Sequence, residues 1–142
     1  MIYSSGCEHA IRALIRLAQQ APAGGFCLLR QMTDHDRLPE HFVSKLLQAL
    51  VRADILISAK GRGGGFALRK PTAEITLRQI VEAIEGREQL ERYGLGLGEG
   101  DAHARWPHHE CWAPIHKQIE EMMDRTSLAD LVEAMSRKLP RG

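Results

Sequence analysis

No stretch of this sequence stays apolar for the roughly 18 residues needed to cross a bilayer, and its start has no charged segment leading into an apolar one. Neither export nor membrane anchoring is expected, and the expected compartment is the cytoplasm. Cysteine is scarce: Cys7, Cys27 and Cys111 are odd in number and widely spaced, which does not read as a disulfide framework and suits a reducing compartment. An excess of one charge is also missing, because 19 Lys and Arg against 18 Asp and Glu leave a formal net charge of +1. There is no internal repeat. No nucleophile is accompanied by both a base and an orienting group; Cys111 with His109 has no visible third member, so the chain is not expected to be an enzyme.

What is present is enough apolar material, 44% of 142 residues, to build one globular core with at most a projecting element. Apolar residues recur mostly at helical spacing, with one short exception near position 60, so the expected class is mainly α with a small β-hairpin. Charge is unevenly distributed. From Arg37 to Lys70 seven cations (Arg37, Lys45, Arg52, Lys60, Arg62, Arg69, Lys70) face only Glu40 and Asp54. From Thr72 to Ala104 the balance reverses through Glu74, Glu82, Glu85, Glu88, Glu91, Glu99 and Asp101. A basic block beside an acidic one is the footprint of a localised polyanion site.

Cys7, Ile11, Leu14, Ile15 and Ala18 share one face of a first helix over 4–21, ended by Ala-Pro-Ala-Gly-Gly. A short second helix is expected over Cys27 to Asp34, then a turn at Asp36 to Leu38. Pro39 suits the first position of a third helix running to about Ala53. Phe42, Val43, Leu46, Leu47 and Leu50 form its expected buried stripe, leaving His41, Ser44, Lys45, Gln48 and Arg52 on the other side. That face fits a groove, and a plain solvated surface is the alternative. Two short apolar runs around Lys60-Gly-Arg-Gly-Gly-Gly65 read as a hairpin. The tip lacks the Ser or Thr and the following helix of a phosphate-cradling GxxxxGK[ST] loop. Leu77, Ile80, Val81 and Ile84 mark a fourth helix stopped at Gly86. Residues 87–110, rich in glycine and then histidine, read as a loop. A helix from about Glu110 to Arg125 carries Trp112, Ile115, Ile119, Met122 and Met123, a stripe too long for a small core alone and suited to a partner subunit. Ser127 and Asp130 have capping-box spacing ahead of a last helix.

Helix, short helix, turn, polar-faced helix and glycine-tipped hairpin, in that order, read as a winged helix-turn-helix with a long C-terminal dimerisation helix. The expected units are 1–86 for DNA binding, 87–110 as a sensor loop and 111–142 for dimerisation and the C-terminal helix. Base edges of double-stranded DNA would be met by His41, Ser44, Lys45, Gln48 and Arg52, and the backbone and minor groove by Lys60, Arg62, Gly63 and Gly64 on the wing.

Glu8-His-Ala-Ile-Arg-Ala-Leu14, Leu38-Pro-Glu-His-Phe-Val-Ser-Lys-Leu-Leu47, the Lys60 to Phe66 wing, Glu74-Ile-Thr-Leu77, Val81-Glu-Ala-Ile-Glu-Gly86 and Thr126-Ser-Leu-Ala-Asp-Leu131 together span nearly the whole chain. In these segments the sequence resembles the Rrf2 (IscR/NsrR-like) transcription regulators. The resemblance implies a homodimer with crossing penultimate helices, a palindromic operator with one winged helix per half-site, and a repressor. It also implies sensing of metal, redox state or nitric oxide, in many members through an iron–sulfur cluster held by three cysteines ahead of the dimerisation helix. This chain departs there: only Cys111 lies in that region, and Trp106 stands where the third cysteine would be, so no three-cysteine cluster is expected. His103, His108, His109 and Cys111 fall within nine residues and suit a metal or haem. Glu8 could add a carboxylate from the other subunit. Solvated loop histidines, a metal or haem site, and an unusual iron–sulfur cluster with other ligands stay open. So does a metal-binding or protein-interaction module on the same fold, against which the basic wing speaks. Cys7 and Cys27 are expected to be buried as small hydrophobes, and His35 to lie at the surface.

Overall fold

The computed structural model describes residues 4–21, 24–62, 64–87 and 109–137, with the backbone alone for 109–112. Helix α1 (Ser5–Gln20) starts at Ser4, whose hydroxyl accepts the Cys7 amide proton at 3.2 Å and so satisfies one of the orphan donors of the first turn. It is followed by α2 (Leu29–Thr33), α3 (Glu40–Arg52), strands β1 (Leu56–Ala59) and β2 (Gly65–Leu68), a 3-10 turn (Thr72–Glu74), α4 (Leu77–Glu85), α5 (His109–Arg125) and α6 (Leu128–Ser136). This is a winged helix-turn-helix, mainly helical with one antiparallel hairpin.

Both ends of the α3 connection are built from the same turn. The Arg37 amide donates to the Asp34 carbonyl (3.1 Å) and the Leu38 amide to the Thr33 carbonyl (3.0 Å), with Arg37 at φ 52°. After α3, Asp54 at φ 61° donates to Val51 (3.0 Å) and Ile55 to Leu50 (3.0 Å). Each is a Schellman turn with the left-handed position filled by a residue other than glycine, a conformation that costs an L residue about 1–2 kcal/mol. Of the residues after each turn, Ile55 is buried in the core and Leu38 packs half-buried against it. The sequence placed Pro39 inside the helix; it stands one residue outside, as the N-cap.

In the hairpin Leu56 faces Leu68, Ile57 faces Ala67, Ser58 faces Phe66 and Ala59 faces Gly65. The other edge of β2 is also paired: Cys27 and Phe66 exchange two backbone hydrogen bonds of 2.9 Å. Gly65 adopts φ 118° with its backbone against the Cys27 carbonyl, where a Cβ would collide. The wing is therefore sewn to the start of α2 as well as to β1.

One cluster collects Leu14 and Leu17 of α1, Met32, Leu47 and Leu50 of α3, Ile55, Leu56, Phe66, Ile75, Ile80 and Leu128. Each large side chain buried there contributes about 1.5–3 kcal/mol of transfer free energy. A second cluster holds Cys7, Leu77, Val81 and Met123, with Ile119 and Leu131 partly buried against it. Helix α6 enters the main core through Leu128, and α5 is fastened through Met123. The fastening continues in the backbone, where the Leu77 amide donates to Thr126 and the Leu128 amide to Ile75, both at 2.7 Å. Capping boxes at Thr76 with Gln79 and Ser127 with Asp130 flank this seam. Arg78 of α4 adds ion pairs to Glu120 (3.6 Å) and Asp124 (3.1 Å) of α5.

Phe42, expected in the buried stripe of α3, is 45% exposed. Val43, Leu47 and Leu50 centre that stripe, and Phe42 falls at its edge. Its ring lies over Gly6 of α1 and meets His9 edge to face at 6.4 Å between centroids.

The turn before α3 is tied to α1 by Asp36, whose side chain is 14% exposed and accepts from Arg16 Nε at 3.1 Å. Arg16 also reaches Gln19 at 3.0 Å and His35 Nδ1 at 2.7 Å. The Arg16 hydrogen bond outweighs the opposing effect of burial and holds the Asp36 carboxyl below its ordinary value of 3.8. Because the folded value lies below the unfolded one, this stabilisation is present above about pH 4 and is lost as pH falls through the folded value. Asp36→Asn should lower stability at neutral pH and narrow its gap from the wild type below that range, as read by urea unfolding at several pH values. Ser127→Ala should cost about 1 kcal/mol through the lost cap, seen as a lower urea midpoint with an unchanged slope.

Candidate nucleic-acid interface

The polar face of α3 follows from helical spacing: with Val43, Leu47 and Leu50 turned inward, His41, Lys45, Gln48 and Arg52 are exposed and Ser44 half-buried. The hairpin that follows presents Lys60 and Arg62, both exposed, at its tip. These are seven of the nine expected DNA contacts. Gly63 lies outside the described residues. Gly64 is corrected: it is buried, its amide donates to the Gly61 carbonyl at 3.0 Å, and a Cβ there would strike the Ala59 carbonyl. Its amide is spent inside the wing, so its part is to close the tip.

The cations divide by partner. Arg12 and Arg16 pair with Asp36, Arg78 with Glu82, Glu120 and Asp124, and Arg137 with Glu133. Among the described residues no ion pair or side-chain hydrogen bond engages Arg30, Arg37, Lys45, Arg52, Lys60, Arg62, Arg69 or Lys70. Arg12, Arg16 and Arg78 tie elements together, whereas Arg137 pairs locally with Glu133 of α6; apart from Lys117 on α5, the unpaired set runs from α2 through α3 and the wing to Lys70. Unneutralised cations on consecutive elements create a positive field open to a polyanion. Arg30 on α2 was missed in the sequence because it precedes the basic block, separated from Arg37 by two acids.

The expected sensor residues fall mostly elsewhere. His103 and His108 lie outside the described residues, and His109, Cys111 and Trp112 are described by backbone only, in the first turn of α5. His109 is already helical, so the helix begins inside the segment read as a loop. Glu8 is half-buried in the first turn of α1. Among the described residues no group of three or more His, Cys, Asp or Glu could hold a metal ion, and no helix is long and apolar enough to cross a membrane. Cys7 is fully buried, and burial, then the charges of Glu85 and Glu8, push its thiol up to about 12. Cys27 is buried too and raised by desolvation; its Sγ–H donates to Gln20 at 3.6 Å.

The stripe expected on α5 divides in two. Ile115 and Met122 are exposed, at 48% and 36%. Ile119 is half-buried against the second cluster, and Met123 is spent inside the chain at 1% exposure. Met123 is therefore corrected from a partner contact to a core residue: α4 takes up one side of α5 and leaves the other.

The sequence model of the Rrf2 family, described as iron-dependent transcriptional regulators, matches residues 3–134. The chain belongs to the Rrf2 family. Among Rrf2 relatives, YwgB of Bacillus subtilis, described as an HTH-type transcriptional regulator, is 34% identical over 107 residues, which is 72% of this chain and 67% of YwgB. The fold is shared with CymR, the global cysteine regulator of B. subtilis, at a TM-score of 0.74 and 24% identity over 92% of this chain and 95% of CymR. T. potens IscR superposes at a TM-score of 0.72 with 21% identity over 98% and 92% of the two chains.

If the polar face of α3 reads bases and the wing follows the backbone, substitutions should separate the two. Arg62→Ala should weaken binding by about 1–3 kcal/mol and relax A·T preference at half-site flanks, whereas Lys45→Ala and Gln48→Ala should disturb central positions. Selection from a randomised duplex pool with each variant checks this; unchanged affinity and salt dependence for Arg62→Ala would remove the wing from the interface.

Proposed function

We propose that this Rrf2 regulator binds a palindromic operator as a homodimer and represses transcription, with one winged helix in each half-site. The observation that carries the reading is the separation of cations: the arginines that hold helices together are paired with carboxylates, and those on α2, α3 and the wing are not. Phosphates would supply the missing counter-charges, and Gln48, Lys45 and Ser44 the base contacts. For the dimer, Ile115 and Met122, exposed at a spacing of seven residues on α5, give a stripe that a second α5 would cover. Trp112 would extend it by one turn.

The effector would act through residues 87–110 and the first turn of α5, which contain His103, His108, His109 and Cys111; Glu8 is the acidic candidate from α1. The family description raises iron, and the donor chemistry limits how iron could be held. A thiolate is the ligand form of cysteine. Cys7 and Cys27 lie in different parts of the hydrophobic interior with raised thiols, which leaves Cys111 alone. A cluster held by three cysteines of one chain does not fit these residues.

Light scattering should give twice 15.9 kDa, and the purified protein should shift an operator fragment without iron–sulfur reconstitution, lacking the strong visible absorption of a three-cysteine cluster. Cys111→Ser or His109→Ala should abolish an effector response while keeping operator affinity within a few-fold. A monomer that shifts no upstream fragment, or a complex that forms only after anaerobic cluster loading, would overturn this reading.

A further inference from the structure

Among the described residues only Arg37 and Asp54 hold a positive φ without being glycine, and they stand at the two ends of α3. The two turns have the same hydrogen bonds, so the backbone requirement at both is the same. Glycine meets it without steric cost. Aspartate is among the side chains that visit the left-handed region most readily; arginine has no such ease. Nothing in the turn calls for an arginine: the hydrogen bonds come from main-chain groups, and the apolar anchor is the half-buried Leu38.

The Arg37 side chain is exposed and engages no partner among the described residues. That is notable because Asp34, Asp36 and Glu40 all lie within three residues of it. Asp36 is taken by Arg16, with Arg12 and His35 at its edge. Asp34 and Glu40 are left in solvent. The Schellman turn behind it and Pro39 ahead of it fix the backbone of Arg37 immediately before the first turn of α3.

We propose that Arg37 is a further DNA contact, a phosphate anchor at the entrance of the reading helix, kept in a left-handed conformation at a cost to stability. The proposal rests on the DNA-binding reading above and adds to it a residue outside the polar face of α3 and the wing. A guanidinium suits the task because it stays charged and can grip two phosphate oxygens at once. Such a contact sets the register of the helix on the duplex and carries no sequence information.

The test uses the full chain, a mixed-sequence duplex followed by fluorescence anisotropy across a salt series, and thermal melts of wild type, Arg37→Gly, Arg37→Lys and Asp54→Gly. Arg37→Gly should melt a few degrees higher than wild type and yet bind DNA several-fold more weakly. Its plot of log affinity against log salt should be shallower by about 1.8, the share of two phosphates, one for each protomer of the bound dimer. Arg37→Lys should keep the wild-type slope. Asp54→Gly should not weaken binding, which separates relief of the turn from loss of a contact. Wild-type affinity and slope in Arg37→Gly would overturn the proposal, and so would an Arg37→Gly melt no higher than that of the wild type. If the wild type itself binds no duplex, the DNA-binding reading falls first, so the two failures are told apart.

Discussion

Two backbone hydrogen bonds, from the Leu77 amide to Thr126 and from the Leu128 amide to Ile75, join the exit of the wing to the link between α5 and α6. Each contributes only about 0.5–1.5 kcal/mol net, but their placement decides the architecture. They bring Leu128 into the core beside Leu14 and Ile80, and they set Met123 against Cys7 and Val81. Without them α5 would be tethered to the winged helix by side chains alone. With them, and with Arg78 held between Glu82, Glu120 and Asp124, α4 and the C-terminal part of α5 form one body with the winged helix.

Electrostatics follows the same division of labour. Carboxylates concentrate where helices must be fixed to one another, at Asp36 between α1 and the turn and at Glu120 and Asp124 between α4 and α5. The semi-buried Arg16–Asp36 pair is worth more than an exposed one, because water screens it less. Among the described residues the cations of α2, α3 and the wing go without ion pairs, and a chain of almost zero net charge still carries a basic surface there.

Most of this plan was legible in the sequence. The order of elements, the polar face of α3, the glycine-tipped hairpin and the cap at Ser127 all follow from local rules of periodicity and capping; the caps at Ser4 and Thr76 were not read there. What else escaped was decided by contacts between distant segments. Cys27 pairs with Phe66, 39 positions away by number; its only local sign was the apolar run Phe26, Cys27, Leu28, too short to identify a strand. Phe42 lies at the margin of its stripe, and only the packing of α1 decides that its ring rests on Gly6. Met123 and Met122 are adjacent and chemically alike, and only the position of α4 decides which is buried. Gly64 looked like a phosphate-approaching glycine because a buried tip residue and an open one share the same composition. Of the sensor residues, His103 and His108 fall outside the described structure, and His109 and Cys111 are described by backbone only.

The manner in which α5 is held has a mechanical consequence. Its 17 residues extend about 25 Å at 1.5 Å per residue, and the seam grips the end at Arg125 and Thr126. Ile119, Glu120, Met123 and Asp124 are also held, against the second cluster and Arg78. The lever is therefore the ten residues ahead of Ile119, about 15 Å, and a sideways shift of about 2 Å at its His109 end amounts to a rotation of about 8°. Pro114, which lacks the amide proton that would bond back to Glu110, separates the first turn, with Cys111, from the rest of the lever. How stiffly that turn is joined past Pro114 sets how much of a displacement at Cys111 arrives at the wing.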